Sequence, residues 1–288
     1  MSNQQTDTLP PNPPWKGHDR VVRLALGPKN KRQPLLLHAA GKGHAIEAVA
    51  ALASLAHQLM RMPSAMLCAP LYMEFTPYPW TSLEGLPQAP APDAHATNHD
   101  ATLAIAFKVP PFPFRTTPHA HLTHPTADAR EQACLLGYAV VVEAPTQATF
   151  AMDEACPDHH ITIMAGQAGT CSLELANQLQ RSLVSFLQHT GRLQGDREDQ
   201  GDDHLLYLGA QQLHWLHAER LGFFEAILSP GDHFAPGQPL GRLVQPFDAA
   251  TPQQISCPYP GIVLASRQVR PVEAGDPMLL VGMTNPHD

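Results

Sequence analysis

The sequence predicts an α/β domain over residues 19–195 and a smaller C-terminal β-module over 204–284, behind an arm at 1–18 expected to be disordered. Three observations lead there. Apolar runs of strand length alternate with long amphipathic segments through the first two thirds of the chain. That helical periodicity stops at the polar, acidic stretch 196–203. Beyond it, short strand candidates alternate with Pro/Gly turns, as in a compact all-β module.

The arm is proline-rich and polar with no apolar h-region, so it reads as neither signal peptide nor membrane anchor. Arg20–Leu26 alternates as an edge strand does and ends at Gly27-Pro28. Leu35–Ala40 is a buried strand, Gly41–Glu47 a turn at its carboxyl end, and Glu47–Met60 a helix with apolar residues at helical spacing. The turn sets His44 three residues before Glu47. An imidazole and a carboxylate so placed suit a metal. Equally, the glycines make a tight strand-to-helix turn and Glu47 is a first-turn acid favoured by the helix dipole. Ala65–Leu71 is a second strand, so the three elements imply a parallel βαβ crossover.

Thr76–Asp100 is a proline-rich loop. Ala101–Phe107 fits a central strand ending on Lys108, because the prolines of Pro110–Arg115 cannot continue a sheet interior. His119, His121 and His124 are then expected in a loop and exposed to solvent. The other reading is that alternate histidines in an extended segment share one side and one metal. Asp128–Leu136 reads as a helix stopped by Gly137, and Tyr138–Glu143 and His160–Gly166 as strands. Ser172–His189 is a long amphipathic helix with Leu173, Leu175, Leu179, Leu183, Val184 and Leu187 on one side. The β-module then runs through strands near 205–208, 212–218, 222–228, 240–244, 255–257, 261–266 and 278–281.

Composition excludes some partners. The 18 basic residues stand against 26 acidic ones, and the longest basic cluster is Lys29-Asn30-Lys31-Arg32, so nucleic acid is not expected. No run approaches the roughly 18 apolar residues of a spanning helix, so no membrane partner is expected either. The cysteines at 68, 134, 156, 171 and 257 never form Cys-x-x-Cys. They read as reduced thiols of a cytoplasmic protein and exclude a cysteine-built zinc site.

The β-module carries Gly222-Phe223-Phe224-Glu225, Pro230-Gly231-Asp232, Gly237-Gln238-Pro239-Leu240-Gly241, Cys257-Pro258-Tyr259-Pro260-Gly261 and Ala274-Gly275-Asp276 in that order. Gly-Asp and Pro-Gly pairs supply the positive φ of tight reversals. This ordered set resembles the C-terminal module of the succinylglutamate desuccinylase and aspartoacylase family. Ile161–Gly169 with the following helix, Pro34–Leu59 and Ala101–Lys108 resemble earlier parts of that family. The resemblance implies a zinc-carboxypeptidase-like mixed sheet flanked by helices. It also implies hydrolysis of an N-acyl amino acid amide by a zinc-bound water, which needs three protein ligands and a carboxylate base.

Carried over residue by residue, the resemblance puts His44 and Glu47 near the first two metal ligands. It puts Ala106-Phe107-Lys108 where the family has Asp-Leu-His, and Met164 where it has the general-base glutamate. An ammonium repels zinc, and a thioether accepts no proton. No arginine stands in 76–100, where the family's substrate-contacting segment would lie. The expectation is a family member without hydrolase activity or bound cofactor, binding a small acyl amino acid or a paralogous subunit, with Lys108 and Arg115 lining the substrate cleft. The alternative is an active zinc hydrolase using His44, Glu47 and a histidine from 119, 121 or 124.

Overall fold

The computed structural model describes residues 22–28, 30, 32–39, 45–75, 103–145, 160–195, 205–245, 252–269 and 271–284. The arm, the turn residues 41–44 with His44, the 76–100 loop and the stretch 196–203 lie outside them. In chain order the elements are β1 (Val22–Leu26), β2 (Leu35–Ala39), α1 (Ile46–Arg61), β3 (Leu71–Phe75), β4 (Leu103–Lys108), β5 (Phe114–Leu122), α2 (Ala127–Cys134), β6 (Val140–Glu143), β7 (His160–Gln167) and α3 (Leu173–His189). There follow β8 (Leu206–Gly209), β9 (Leu213–His217), β10 (Gly222–Ala226), β11 (His233–Phe234), β12 (Pro239–Val244), β13 (Gln253–Ser256), β14 (Gly261–Arg267), β15 (Pro271–Val272) and β16 (Pro277–Met283). The result is a mixed α/β fold, as the alternation of patterns predicts. Among the described residues no helix is long and apolar enough to cross a membrane.

One mixed sheet runs in the order β1-β3-β2-β4-β7-β5-β14-β16-β9, with β6 and β8 extending from β5 and β11 pairing β14. β3, β2, β4 and β7 run parallel to one another, while β1 pairs β3 antiparallel at one edge and β5 pairs β7 antiparallel on the other side. The C-terminal strands join this sheet where β14 pairs β5 antiparallel. A second sheet, β13-β12-β10-β15, completes the C-terminal part.

Helices α1 and α3 cover one face. Leu52 and Leu55 of α1 and Leu183 and Phe186 of α3 are fully buried against Leu37, Ile105, Phe107, Ile161 and Ile163. Each such side chain contributes about 1.5–3 kcal/mol on leaving water. Helix α3 starts where Ser172 Oγ accepts the Leu175 N–H at 3.2 Å, an N-cap bond.

Four expectations need correction. The strand expected at Ala65–Leu71 lies later, at Leu71–Phe75, because Pro70 ends the preceding turn and its carbonyl accepts the Leu35 N–H at 3.2 Å. His119 and His121 belong to the nine-residue strand β5 and are buried, each 1% exposed, not loop residues in solvent. β5 lies between β7 on one side and β6 and β14 on the other, which shields both rings. Leu173 is 73% exposed at the mouth of α3 and does not join its apolar stripe. Finally, Gly231, Gly237 and Gly275 do turn at positive φ, but Gly261 does not. A Cβ at Gly261 would sit 2.2 Å from the Gly282 carbonyl oxygen, so that glycine serves close strand approach.

Candidate functional site

Side chains alternate across a strand, and residues paired in register share a face. Ile105 and Phe107 of β4, Ile161 and Ile163 of β7, and Ala120 and Leu122 of β5 belong to the core beneath α1 and α3. The alternate residues therefore face the other way. They include Ala106 and Lys108, Thr162 and Met164, and His119 and His121.

Register brings these together. Lys108 pairs with Met164, and Met164 pairs on its other side with His119. One step back, Ala106 pairs with Thr162 and Thr162 with His121. Lys108 stands at the carboxyl end of its strand and is half-buried, whereas Met164 is 1% exposed. Ligands of open α/β sheets bind at such strand ends. β5 carries an irregularity between Thr116 and His119, where its register against β7 shifts. Bulges of this kind re-aim side chains beside functional sites.

The two histidines are fixed and neutral. His119 Nδ1 donates to the Thr117 carbonyl at 2.9 Å, and His121 Nε2 donates to the Ala144 carbonyl at 2.6 Å. Burial pushes the His119 imidazole down to about 4, against the opposing hydrogen bond to Thr117. Burial likewise lowers His121, and the charge of Lys108 adds to the effect. With Nδ1 protonated, His119 Nε2 carries a lone pair. That atom is buried and has no hydrogen-bond partner among the described residues.

Glu47 lies in the first turn of α1 and is 2% exposed. Its Oε1 accepts from the Ser172 N–H at 3.2 Å and the Thr170 hydroxyl at 3.4 Å, so it meets the N-terminus of α3. Burial raises its pKa, while these bonds and the positive charge of Arg115 pull the other way. Arg115 is exposed on β5, paired with Gln167 beyond Gly166. Its electrostatic influence falls on Glu47, and that of Lys108 on His121. The close fit of this corner shows at Gly166, where a Cβ would come within 3.4 Å of the Glu47 carboxylate.

The residues at the position of the implied zinc do not suit it. A lysine stands where the resemblance calls for the third ligand, with a methionine as its register partner, and no group of three His, Cys, Asp or Glu that could hold a metal ion occurs among the described residues. His44 lies outside those residues. Sequence reasoning missed Thr170 and Ser172 as the partners of Glu47 and His119 as the neighbour of Met164. The first pair carried no signal, since their contact with Glu47 spans more than 120 positions of chain. For His119 a signal existed: Ala120 and Leu122 alternate with the histidines as a half-buried strand requires.

No protein-family model matches the sequence, and no curated protein matches it. Solved structures do. The succinylglutamate desuccinylase/aspartoacylase of Rhodobacter sphaeroides superposes with a TM-score of 0.67 at 15% identity, covering 92% of this chain and 89% of that one. A succinylglutamate desuccinylase of Silicibacter sp. TM1040 gives 0.64 at 14% identity over 99% and 100% of the two chains. The product-bound ectoine utilization protein EutE (DoeB) of Ruegeria pomeroyi gives 0.64 at 16% identity over 91% and 88%. The chain therefore has the fold of the succinylglutamate desuccinylase and aspartoacylase structures, along almost its whole length.

Proposed function

We propose that this chain is a member of the succinylglutamate desuccinylase and aspartoacylase family that has lost the zinc hydrolase centre and acts by binding. Its ligand is a small acyl amino acid held at the carboxyl ends of β4 and β7, or its partner is a paralogous family subunit. The fold supports the ancestry, and the ordered glycine turns of the C-terminal module support it independently.

One observation carries the loss of activity. Lys108 and Met164 are register partners on adjacent central strands. These are the positions at which the resemblance calls for a metal-binding histidine and a general-base glutamate. An ammonium there opposes a dication, and a thioether cannot take a proton from water. A cation so placed suits an anionic ligand instead. The scattered cysteines support a reducing, cytoplasmic setting.

The test is an assay of the purified full chain with N-acetyl and N-succinyl amino acids, following release of the free amino acid. The reading expects no turnover above buffer, together with binding of at least one of these compounds or co-purification with a family paralogue. Steady release of amino acid that a chelator abolishes would replace it with the alternative, a zinc hydrolase with relocated ligands.

A further inference from the structure

The opposite end of the sheet carries a second concentration of charge, away from the row of Lys108. Lys108 ends β4, whereas Arg32 lies just before Leu35, the first residue of the parallel strand β2. There Arg32 and Arg192 cross in a reciprocal arrangement. Arg32 Nη1 donates to the Gly191 carbonyl at 2.8 Å, and Arg192 Nη1 donates to the Gln33 carbonyl at 2.7 Å. The backbone beneath them is fixed through Asn30 and Cys68. Asn30 Oδ1 accepts the Arg32 N–H at 3.0 Å and Asn30 Nδ2 donates to the Cys68 carbonyl at 2.9 Å, while the Cys68 N–H donates to the Arg192 carbonyl at 2.7 Å.

Two like charges are thereby held together. Among the described residues neither guanidinium has a carboxylate partner. Arg192 is half-buried, and burial together with the charge of Arg32 lowers its pKa. Helix-end capping accounts for Arg32, whose bond to Gly191 lies just past the C-terminus of α3. It does not account for a second guanidinium brought against the first. Each planar guanidinium commits one nitrogen to a carbonyl and keeps further N–H donors, and Arg32 is exposed to solvent. We propose that Arg32 and Arg192 form a binding site for a phosphate-type oxyanion, either free phosphate or the phosphate group of a monoester. Its charge matches the pair, its oxygens accept from both planar forks, and its entry requires no opening of the core. The site is separate from the strand ends of the acyl amino acid reading, and neither proposal depends on the other.

The experiment titrates the purified full chain with inorganic phosphate and, separately, with methyl phosphate by calorimetry at pH 7.5, with sodium chloride at matched ionic strength as the control. One saturable site per chain is expected. Tighter binding of methyl phosphate identifies an esterified ligand, and tighter binding of inorganic phosphate a free one. Arg32→Ala is expected to bind about tenfold more weakly, and Arg192→Lys, which keeps the charge but not the fork, to fall between it and the wild type. Because either change loosens a loop contact, a melting series separates binding from folding: phosphate is expected to raise the Tm of the wild type and to leave that of Arg32→Ala unmoved. A purely structural clasp lowers Tm in both variants with no phosphate dependence in any chain, and that result overturns the proposal. Equal stabilisation by chloride also overturns it. So does phosphate binding that appears only in the triple variant Asp196→Asn, Glu198→Gln, Asp199→Asn, since the chain's own carboxylates would then be the partners of the pair.

Discussion

Lys108 and Met164 sit side by side in register at the carboxyl ends of β4 and β7, with His119 of β5 on the far side of the methionine. The row is cationic at one end, apolar in the middle and neutral-basic at the other. Its order follows from three alternating strands whose opposite faces feed the core under α1 and α3.

The buried histidine makes stability depend on acid. His119 has a folded pKa near 4 against an ordinary 6.5, so the unfolded chain binds the extra proton first. Stability conferred by the neutral ring is complete above pH 6.5 and is lost as pH falls from 6.5 toward 4. At about 1.4 kcal/mol for each pH unit, the loss from this ring is on the order of 3 kcal/mol. Denaturant titrations between pH 7 and pH 4 should show it, and His119→Gln should flatten the slope across that window. A wild-type slope of zero contradicts the burial of a neutral ring.

Glu47 gives the opposite sign. Its folded pKa is raised by burial above 4.5, so the native state holds the proton more tightly and stability falls as pH rises through the folded value. Glu47→Gln is expected to be as stable as the wild type or more so at pH 7, the two converging in their dependence below pH 4.5. Thermal melts at pH 4 and pH 7 check this. A variant that is much weaker at pH 7 than at pH 4 would show that the ionised carboxylate is the stabilising form.

Packing between the helices and the sheet is the main support of the strand ends. Leu55→Ala removes a fully buried side chain of α1 and should cost about 2–5 kcal/mol in urea unfolding. In the C-terminal part, Gly261→Ala places a Cβ against the Gly282 carbonyl of the neighbouring strand and should cost about 2–3 kcal/mol. Gly237→Ala acts by a different route, since its surroundings are open and only its positive φ of 74° opposes the substitution, so about 1 kcal/mol is expected.

Much of this fold is legible in the sequence because its signals are local. Apolar periodicity marks α1 and α3, a continuous apolar run marks β4, and Gly137 at φ 72° ends the turn after α2 as a helix-stopping glycine should. The site is less legible because its partners are distant. Two histidines flanked by prolines resemble a solvated loop until β6, β7 and β14 close around them. Likewise the Glu47 carboxylate reads as a metal ligand or a first-turn acid, and only the folded chain shows it bonded to the start of α3. What the residue types did convey is a lysine and a methionine at the two strand positions where the resemblance calls for a ligand and a base.

The central claim is that these two residues displaced the metal. Its most direct measurement is the zinc content of the purified full chain by elemental analysis, after incubation with excess zinc and removal of the unbound ion. The account predicts far less than one zinc per chain, unchanged in His44→Ala and Glu47→Gln. One tightly held zinc per chain, lost in either variant, would contradict it.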